Sequence, residues 1–190
     1  MALKPTNLQA VRTRGLTLGK YAPLHAGHQF VIETALAEID ELIILIYHAP
    51  EATAIPLPVR AGWLRQFYPQ AQTIEAWDGP TMVGNTPQIQ KLHETYIIET
   101  LGIRGITHFY SSEFYGEHMS QALGAVNRLV DPARSRFPLS GTLIREGPIR
   151  YKEFLYPTVL SDLLKWADSG QENAIHSEAG GGEMRSERKA

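Results

Sequence analysis

The run Leu42-Ile43-Ile44-Leu45-Ile46-Tyr47 restricts the folds open to this chain more than any other segment. Consecutive branched apolar residues read as a strand covered on both faces, because a strand with one wet face alternates apolar and polar side chains. Such a strand needs helices above and below it, and the sequence supplies them. Leu16 to Leu18 is a short strand ending at Gly19, followed by Gly27 to Ile39 with Phe30, Val31, Ala35 and Ile39 near helical spacing. Pro58 suits the first turn of a helix carrying Ala61, Leu64 and Phe67-Tyr68. Gln72 to Trp77 is a third strand, and Pro87 to Leu101 a helix with Ile89, Leu92, Tyr96, Ile97 and Leu101 on its apolar side. Ile106 to Tyr110 and Val126 to Val130 are the last strands, separated by a short helix over Phe114 to Leu123. Helical patterns return after Ser140 and over Thr158 to Trp166. Alternation of this kind predicts right-handed crossovers and a doubly wound, five-stranded parallel sheet with C-terminal helices.

At 190 residues one core is the expectation, with a single domain over residues 1–167. Residues 168–190 are rich in Gly, Ser, Glu and charge, bury almost nothing, and are expected to form a disordered tail. Lys and Arg total 18 against 20 Asp and Glu, a net charge of −2, which argues against nucleic acid or a membrane surface as partner. No cysteine is present, so disulfides, thiolate zinc sites and cysteine nucleophiles are excluded. Met1 to Gly15 holds no apolar core of signal-peptide length, and the most apolar run is too short to span a bilayer. The simplest expectation is a cytoplasmic protein.

The sharpest chemical feature is Gly19-Lys20-Tyr21-Ala22-Pro23-Leu24-His25-Ala26-Gly27-His28, between the first strand and the first helix. In a doubly wound sheet this turn lies at the switch point where ligands bind, and a helix N-terminus offers unpaired N–H groups to phosphate. Gly19 admits close approach of a ligand to the backbone. His25 and His28 share one side of a first helical turn, where they and Lys20 can donate hydrogen bonds to phosphate oxygens. The alternative is two histidines that merely begin a helix beside a solvated lysine. Far downstream, Ser140 and Thr142 offer hydroxyls at a second helix start, for capping or for phosphate. There Gly141 leaves the backbone accessible, and Arg145 can grip a phosphate bidentately or stay solvated.

His25-Ala26-Gly27-His28 matches the H-x-G-H signature of the nucleotidyltransferase superfamily, and Leu139-Ser140-Gly141-Thr142-Leu143-Ile144-Arg145 resembles its I-S-[SG]-T-x-[IL]-R motif, with Leu139 replacing the usual Ile. Class I aminoacyl-tRNA synthetases share the first motif, but the K-M-S-K-S loop is lacking. The continuation Glu146-Gly147-Pro148-Ile149-Arg150-Tyr151, then Phe154, Tyr156 and Pro157, resembles nicotinamide-nucleotide adenylyltransferases, particularly the domain in bacterial NAD-biosynthesis regulators that also carry a ribosylnicotinamide kinase. The likeness runs from about Arg14 to Leu164; the kinase half is missing, since no Walker-type G-x-x-x-x-G-K-[ST] occurs.

This resemblance implies a Rossmann-like nucleotidyltransferase that moves AMP from ATP to nicotinamide mononucleotide (NMN). His25, His28, Lys20 and Arg145 would be catalytic. Gly19, Tyr21, Gly27, Ser140, Gly141 and Thr142 would bind ATP. Ser111-Ser112-Glu113 occupies the place where the family contacts adenine and ribose. Arg134, with Arg136, would close over the triphosphate, or belong to a solvated basic loop. Mg2+ would arrive with ATP, so no metal-ligating residue is assigned. For the acceptor, Trp77 after the third strand is the favoured stacking surface for a cationic pyridine ring, with core packing as the alternative. Arg60, opening the helix after the second strand, would reach the acceptor phosphate. His48, His93, His108 and His118 show no ligand spacing and are read as structural. Nicotinate mononucleotide, phosphopantetheine or FMN are alternative acceptors, and a nucleotide sensor without turnover is the rival from another class. The resemblance also allows a homo-oligomer.

Overall fold

A computed structural model describes residues 12–113 and 115–166, so the expected tail over 168–190 lies outside the described residues. The five strands are β1 (Arg14–Gly19), β2 (Glu41–Tyr47), β3 (Gln72–Ala76), β4 (His108–Ser111) and β5 (Val126–Leu129). They form one all-parallel sheet in the order β3-β2-β1-β4-β5. The helices are α1 (Ala26–Glu38), α2 (Leu57–Phe67), α3 (Pro87–Thr95), α4 (Gly116–Leu123) and α5 (Gly141–Glu146), with a further helical stretch over 157–166. This is the doubly wound fold expected from the alternation.

The two-faced reading of the second apolar run explains the layering. Leu42, Ile44 and Ile46 of β2 pack in a core with Val31, Ile32 and Ala35 of α1, Ala61 and Leu64 of α2, and Val159 and Leu163. Ile43, Leu45 and Tyr47 face the opposite core with Tyr96, Ile97, Phe109 and Met119. Each such side chain removed from water contributes about 1.5–3 kcal/mol, so β2 ties both helical layers to the sheet. At the far edge β5 leaves Val126 and Leu129 exposed.

Strand ends shift by one or two residues from the sequence reading, β1 beginning at Arg14 and β4 at His108, and two helix boundaries differ for a visible reason. The predicted helix over Pro87 to Leu101 changes character at its end: Tyr96–Thr100 is a π-helical turn, closed by the Leu101 N–H donating to the Tyr96 carbonyl at 2.9 Å. The wider turn lets the adjacent Tyr96 and Ile97 both enter the core, where Tyr96 also donates its hydroxyl to Asp78 at 2.7 Å. The fourth helix starts at Gly116 rather than near residue 114, because the chain leaving β4 first makes a turn at Ser112 and Glu113. No helix among the described residues is long and apolar enough to cross a membrane.

The strand order reverses between β1 and β4, and the crevice beyond their C-terminal ends is where such sheets take ligands. Leu45 of β2 is fully buried in the core with Tyr96, Ile97 and Phe109. Leu45→Ala is expected to cost about 2–5 kcal/mol, read as a lower urea midpoint with an unchanged slope.

Candidate active site

Two connected cavities occupy the switch point. The larger, about 350 Å³, is lined from β1 and its loop by Thr17, Gly19, Lys20 and Tyr21, from beyond β2 by Tyr47, His48 and Glu51, and from beyond β4 by Ser111, Ser112, Glu113 and Tyr115. Residues 80–84 close its outer side. The smaller, about 240 Å³, is lined by His25, Gly27, Arg134, Phe137, Ser140 and Gly141, among others. His28, Ser112 and Glu113 line both, so the cavities meet there.

The loop from β1 to α1 is held from two sides. Arg60 is fully buried, and its guanidinium donates to the carbonyls of Ile55 at 3.0 Å, Tyr47 at 3.1 Å and Lys20. Burial pulls its pKa down to about 10, still far above neutral, so a permanent cation ties the end of β2 to the loop after β1. From the other side, Arg145 donates to the Ala22 carbonyl and, through Nη2, to Thr142 Oγ1 at 3.2 Å. A Cβ on Gly141 would come within 2.6 Å of that same carbonyl oxygen. Glycine is therefore required where α5 abuts the first loop. Ser140 caps α5, accepting from the Leu143 N–H at 3.2 Å.

His25 is itself the N-cap of α1: its Nδ1 accepts from the Gly27 N–H at 3.2 Å. That bond places the remaining ring proton on Nε2 and leaves His25 a neutral donor. Its ring stacks on His28 at 3.9 Å between centroids, and Tyr21 lies 4.9 Å from His28 on another side. Burial pushes the His25 pKa down to about 4, with the nearby Arg134 charge adding to it. His28 is held well below the usual histidine value by burial first, then by His25 and Arg134, against a smaller opposing effect of the Pro23 backbone. Both rings are thus uncharged near neutral pH and offer hydrogen bonds rather than charge.

The cations of the site have partners. Lys20 pairs with Glu51 at 2.7 Å, and Arg134 with Glu113. Arg134 sits in the left-handed backbone region, φ 50°, inside a turn organised by Asp131. The Asp131 carboxylate accepts from the Ser135, Arg136 and Phe137 N–H groups and the Ser135 hydroxyl.

The structure brings Gly19, Lys20, Tyr21, His25, Gly27, His28, Ser111, Ser112, Glu113, Arg134, Ser140 and Gly141 to the walls of the joined cavities. Thr142 and Arg145 stand behind those walls, linked to them through the Ala22 carbonyl. Trp77 is half exposed and does not line either cavity; it packs against His48, 5.5 Å between ring centroids, at the rim. Arg60 holds backbone carbonyls and does not face the cavities. Sequence reasoning missed Glu51 and Asp131, and read as structural His48, His93 and His118, which line the larger cavity. Asp131-Pro132 is a turn signal that points to a structured loop, whereas nothing near Glu51 marks it as the partner of Lys20.

A parallel sheet whose crevice holds two uncharged histidines at a helix N-terminus and two carboxylate-paired cations has the arrangement of a doubly wound α/β protein with an anion-binding switch point. The chain belongs to the cytidylyltransferase-like family, which it matches over residues 16–147. It is 27% identical over 159 residues to the trifunctional NAD biosynthesis/regulator protein NadR of Escherichia coli, covering 76% of this chain and 39% of that protein. It is also 42% identical to the nicotinamide-nucleotide adenylyltransferase of Saccharolobus solfataricus over 50 residues, 26% of this chain and 29% of that one. A crystal structure of NadR in complex with NAD and AMP-PNP superposes with a TM-score of 0.56 at 19% identity, over 76% of this chain and 44% of that chain. The chain thus spans about two fifths of the length of these NadR relatives. The NadR structures share its fold.

Two outcomes follow from the geometry. Arg60→Met leaves the Ile55 and Tyr47 carbonyls without their donor, and is expected to lower unfolding stability by about 2–4 kcal/mol in urea. A role at the acceptor would instead leave stability intact and raise the acceptor KM. The second concerns pH. His25 is lowered from 6.5 to about 4 in the folded chain, so on acidification the unfolded chain takes up the proton first. Stability is full above the unfolded value and declines as pH falls from about 6.5 towards about 4. His25→Asn keeps a capping side chain and is expected to make that decline shallower in urea midpoints measured across this range, leaving the part that His28 carries.

Proposed function

We propose that this chain is an adenylyltransferase that moves AMP from ATP to NMN, giving NAD and pyrophosphate. The observation that carries the reading is the joining of the two cavities at His28, Ser112 and Glu113. The smaller one, with Arg134, the His25 ring and the Ser140–Gly141 backbone, suits the triphosphate. The larger one, with Tyr47, His48, Met82 and Tyr115, suits a flat heterocycle on a ribose phosphate. The name of the Saccharolobus solfataricus relative, a nicotinamide-nucleotide adenylyltransferase, supports the same acceptor.

The reaction is a direct displacement. A 5′-phosphate oxygen of NMN forms a bond to the α-phosphorus of ATP, and the bond from that phosphorus to the bridging oxygen breaks, releasing pyrophosphate. The attacking phosphate is already anionic near neutral pH, so no protein nucleophile or strong base is needed. The chain aligns the reactants and stabilises charge on the leaving group. His25 donates from Nε2, because its Nδ1 already caps the helix. His28 stands where the reacting phosphates meet. Arg134 and Lys20 exchange their carboxylate partners for phosphate oxygens, and Arg145 keeps the Ala22 loop in register with α5. ATP would bring a divalent cation such as Mg2+ with it, to offset charge on the phosphates. Among the described residues no three His, Cys, Asp or Glu side chains gather to hold an ion. A solved bifunctional NMN adenylyltransferase/ADP ribose pyrophosphatase from Francisella tularensis was crystallised with AMP and a manganese ion; it covers 83% of this chain and 50% of its own, with a TM-score of 0.50 at 14% identity.

The test is pyrophosphate release from ATP with NMN, nicotinate mononucleotide, phosphopantetheine or FMN offered in turn. NMN is expected to give the highest kcat/KM, and absence of release with any pyridine nucleotide refutes the reading. His28→Ala is expected to lower kcat by at least about tenfold with an unchanged fold, within the range for loss of one transition-state donor.

A further inference from the structure

Resting on the acceptor reading above, we propose that His93 is the positioning residue that holds segment 80–84 in place as the wall of the acceptor cavity, and so sets affinity for the acceptor. The segment has no regular secondary structure and carries Met82 and Val83, 57% and 72% exposed, yet it lines the larger cavity. Among the described residues one hydrogen bond ties it to the packed body: His93 Nε2 to the Met82 carbonyl, 2.9 Å. A carbonyl only accepts, so Nε2 carries the ring proton. Nδ1 then offers a lone pair to the Tyr47 hydroxyl, 3.4 Å away, whose proton is secured because burial pushes that phenol up. The Tyr47 ring meets the His93 ring edge-on at 5.8 Å between centroids. A neutral histidine therefore satisfies both contacts with one tautomer.

The chain of contacts reaches the sheet. Tyr47 is the last residue of β2, and its own carbonyl accepts from Arg60. Its ring also bounds the position of Gly79, where a Cβ would approach within 2.7 Å of Cδ1. His93 thus transfers the rigidity of the β2 terminus to an exposed loop that could not otherwise hold a fixed shape. His93 itself lines the larger cavity and not the smaller one, so its removal acts on one substrate, and exchange at 81–84 is the readout that separates the tether from a direct contact.

The experiment compares the full chain with His93→Ala and His93→Gln, measuring amide hydrogen exchange at residues 81–84 in the free protein and steady-state KM for ATP and NMN. For His93→Ala, exchange at 81–84 and the KM for NMN are each expected to rise about five- to tenfold, the range one neutral hydrogen bond carries. The KM for ATP and kcat stay within about twofold, a change too small to count as a lost hydrogen bond. His93→Gln, whose amide N–H can reach the same carbonyl, restores part of both. Unchanged exchange at 81–84 overturns the proposal, as does an equal rise in the KM for ATP, which would mark a general loss of structure. If the wild-type chain releases no pyrophosphate with NMN while exchange at 81–84 still rises in His93→Ala, the acceptor reading falls and the tether stands.

Discussion

The carbonyl oxygen of Ala22 is where the two halves of the site become one. It lies in the loop after β1, and it accepts from Arg145, 123 residues further along the chain. Gly141 comes so close to the same oxygen that any side chain there would collide with it. These contacts bring the start of α5 against the start of α1, and the smaller cavity is the space left between them. Arg60 performs the matching task at the other end of the loop, through the Lys20 carbonyl. Two arginines on backbone carbonyls thus fix a segment that has no secondary structure of its own. A buried guanidinium is costly unless its donors are used, which makes such a clamp specific to one loop conformation.

With the loop fixed, the imidazoles gain a definite chemistry. His25 accepts from the Gly27 N–H, and its ring packs so near Gly27 that a Cβ there would lie 3.0 Å from Cε1. The glycine between the histidines therefore permits the cap that sets the His25 tautomer. Stacked rings in a buried setting disfavour charge on either one. Two uncharged donors can approach a polyphosphate without first holding counter-ions.

The fold was legible because β2 has to be covered on both faces and the remaining segments alternate at helical and strand spacing. The two motif segments that meet at the smaller cavity were legible for a related reason: His25 to His28 and Ser140 to Gly141 each mark a helix start. What escaped are pairings that depend on distant loops. Arg60 reads in sequence as a cation reaching the acceptor phosphate from the beginning of a helix, and only the fold reveals the Ile55, Lys20 and Tyr47 carbonyls converging on it. Trp77 looked like a stacking platform, yet the turn after β3 sets it at the rim against His48. The π-helical turn at Tyr96 gave no sign, since adjacent apolar residues at a helix end suit an α-helix equally well in sequence.

The distribution of charge separates the two cavities chemically. Lys20 is neutralised by Glu51 and Arg134 by Glu113, while both histidines are neutral. A ligand therefore meets a crevice with little net charge to attract it from a distance, and must win each cation from a carboxylate on arrival. A dianionic or polyanionic phosphate can do so, because it offers several acceptor oxygens per cation where each carboxylate offers two. An uncharged or monoanionic ligand has less to offer in exchange. Glu113 lies at the junction of the cavities, and on the proposed reading its carboxylate, freed from Arg134, would accept from ribose hydroxyls, which need acceptors and carry no charge of their own. On that reading the ion pairs of Lys20 and Arg134 sort the ligands of the site, favouring molecules that carry phosphate and ribose together.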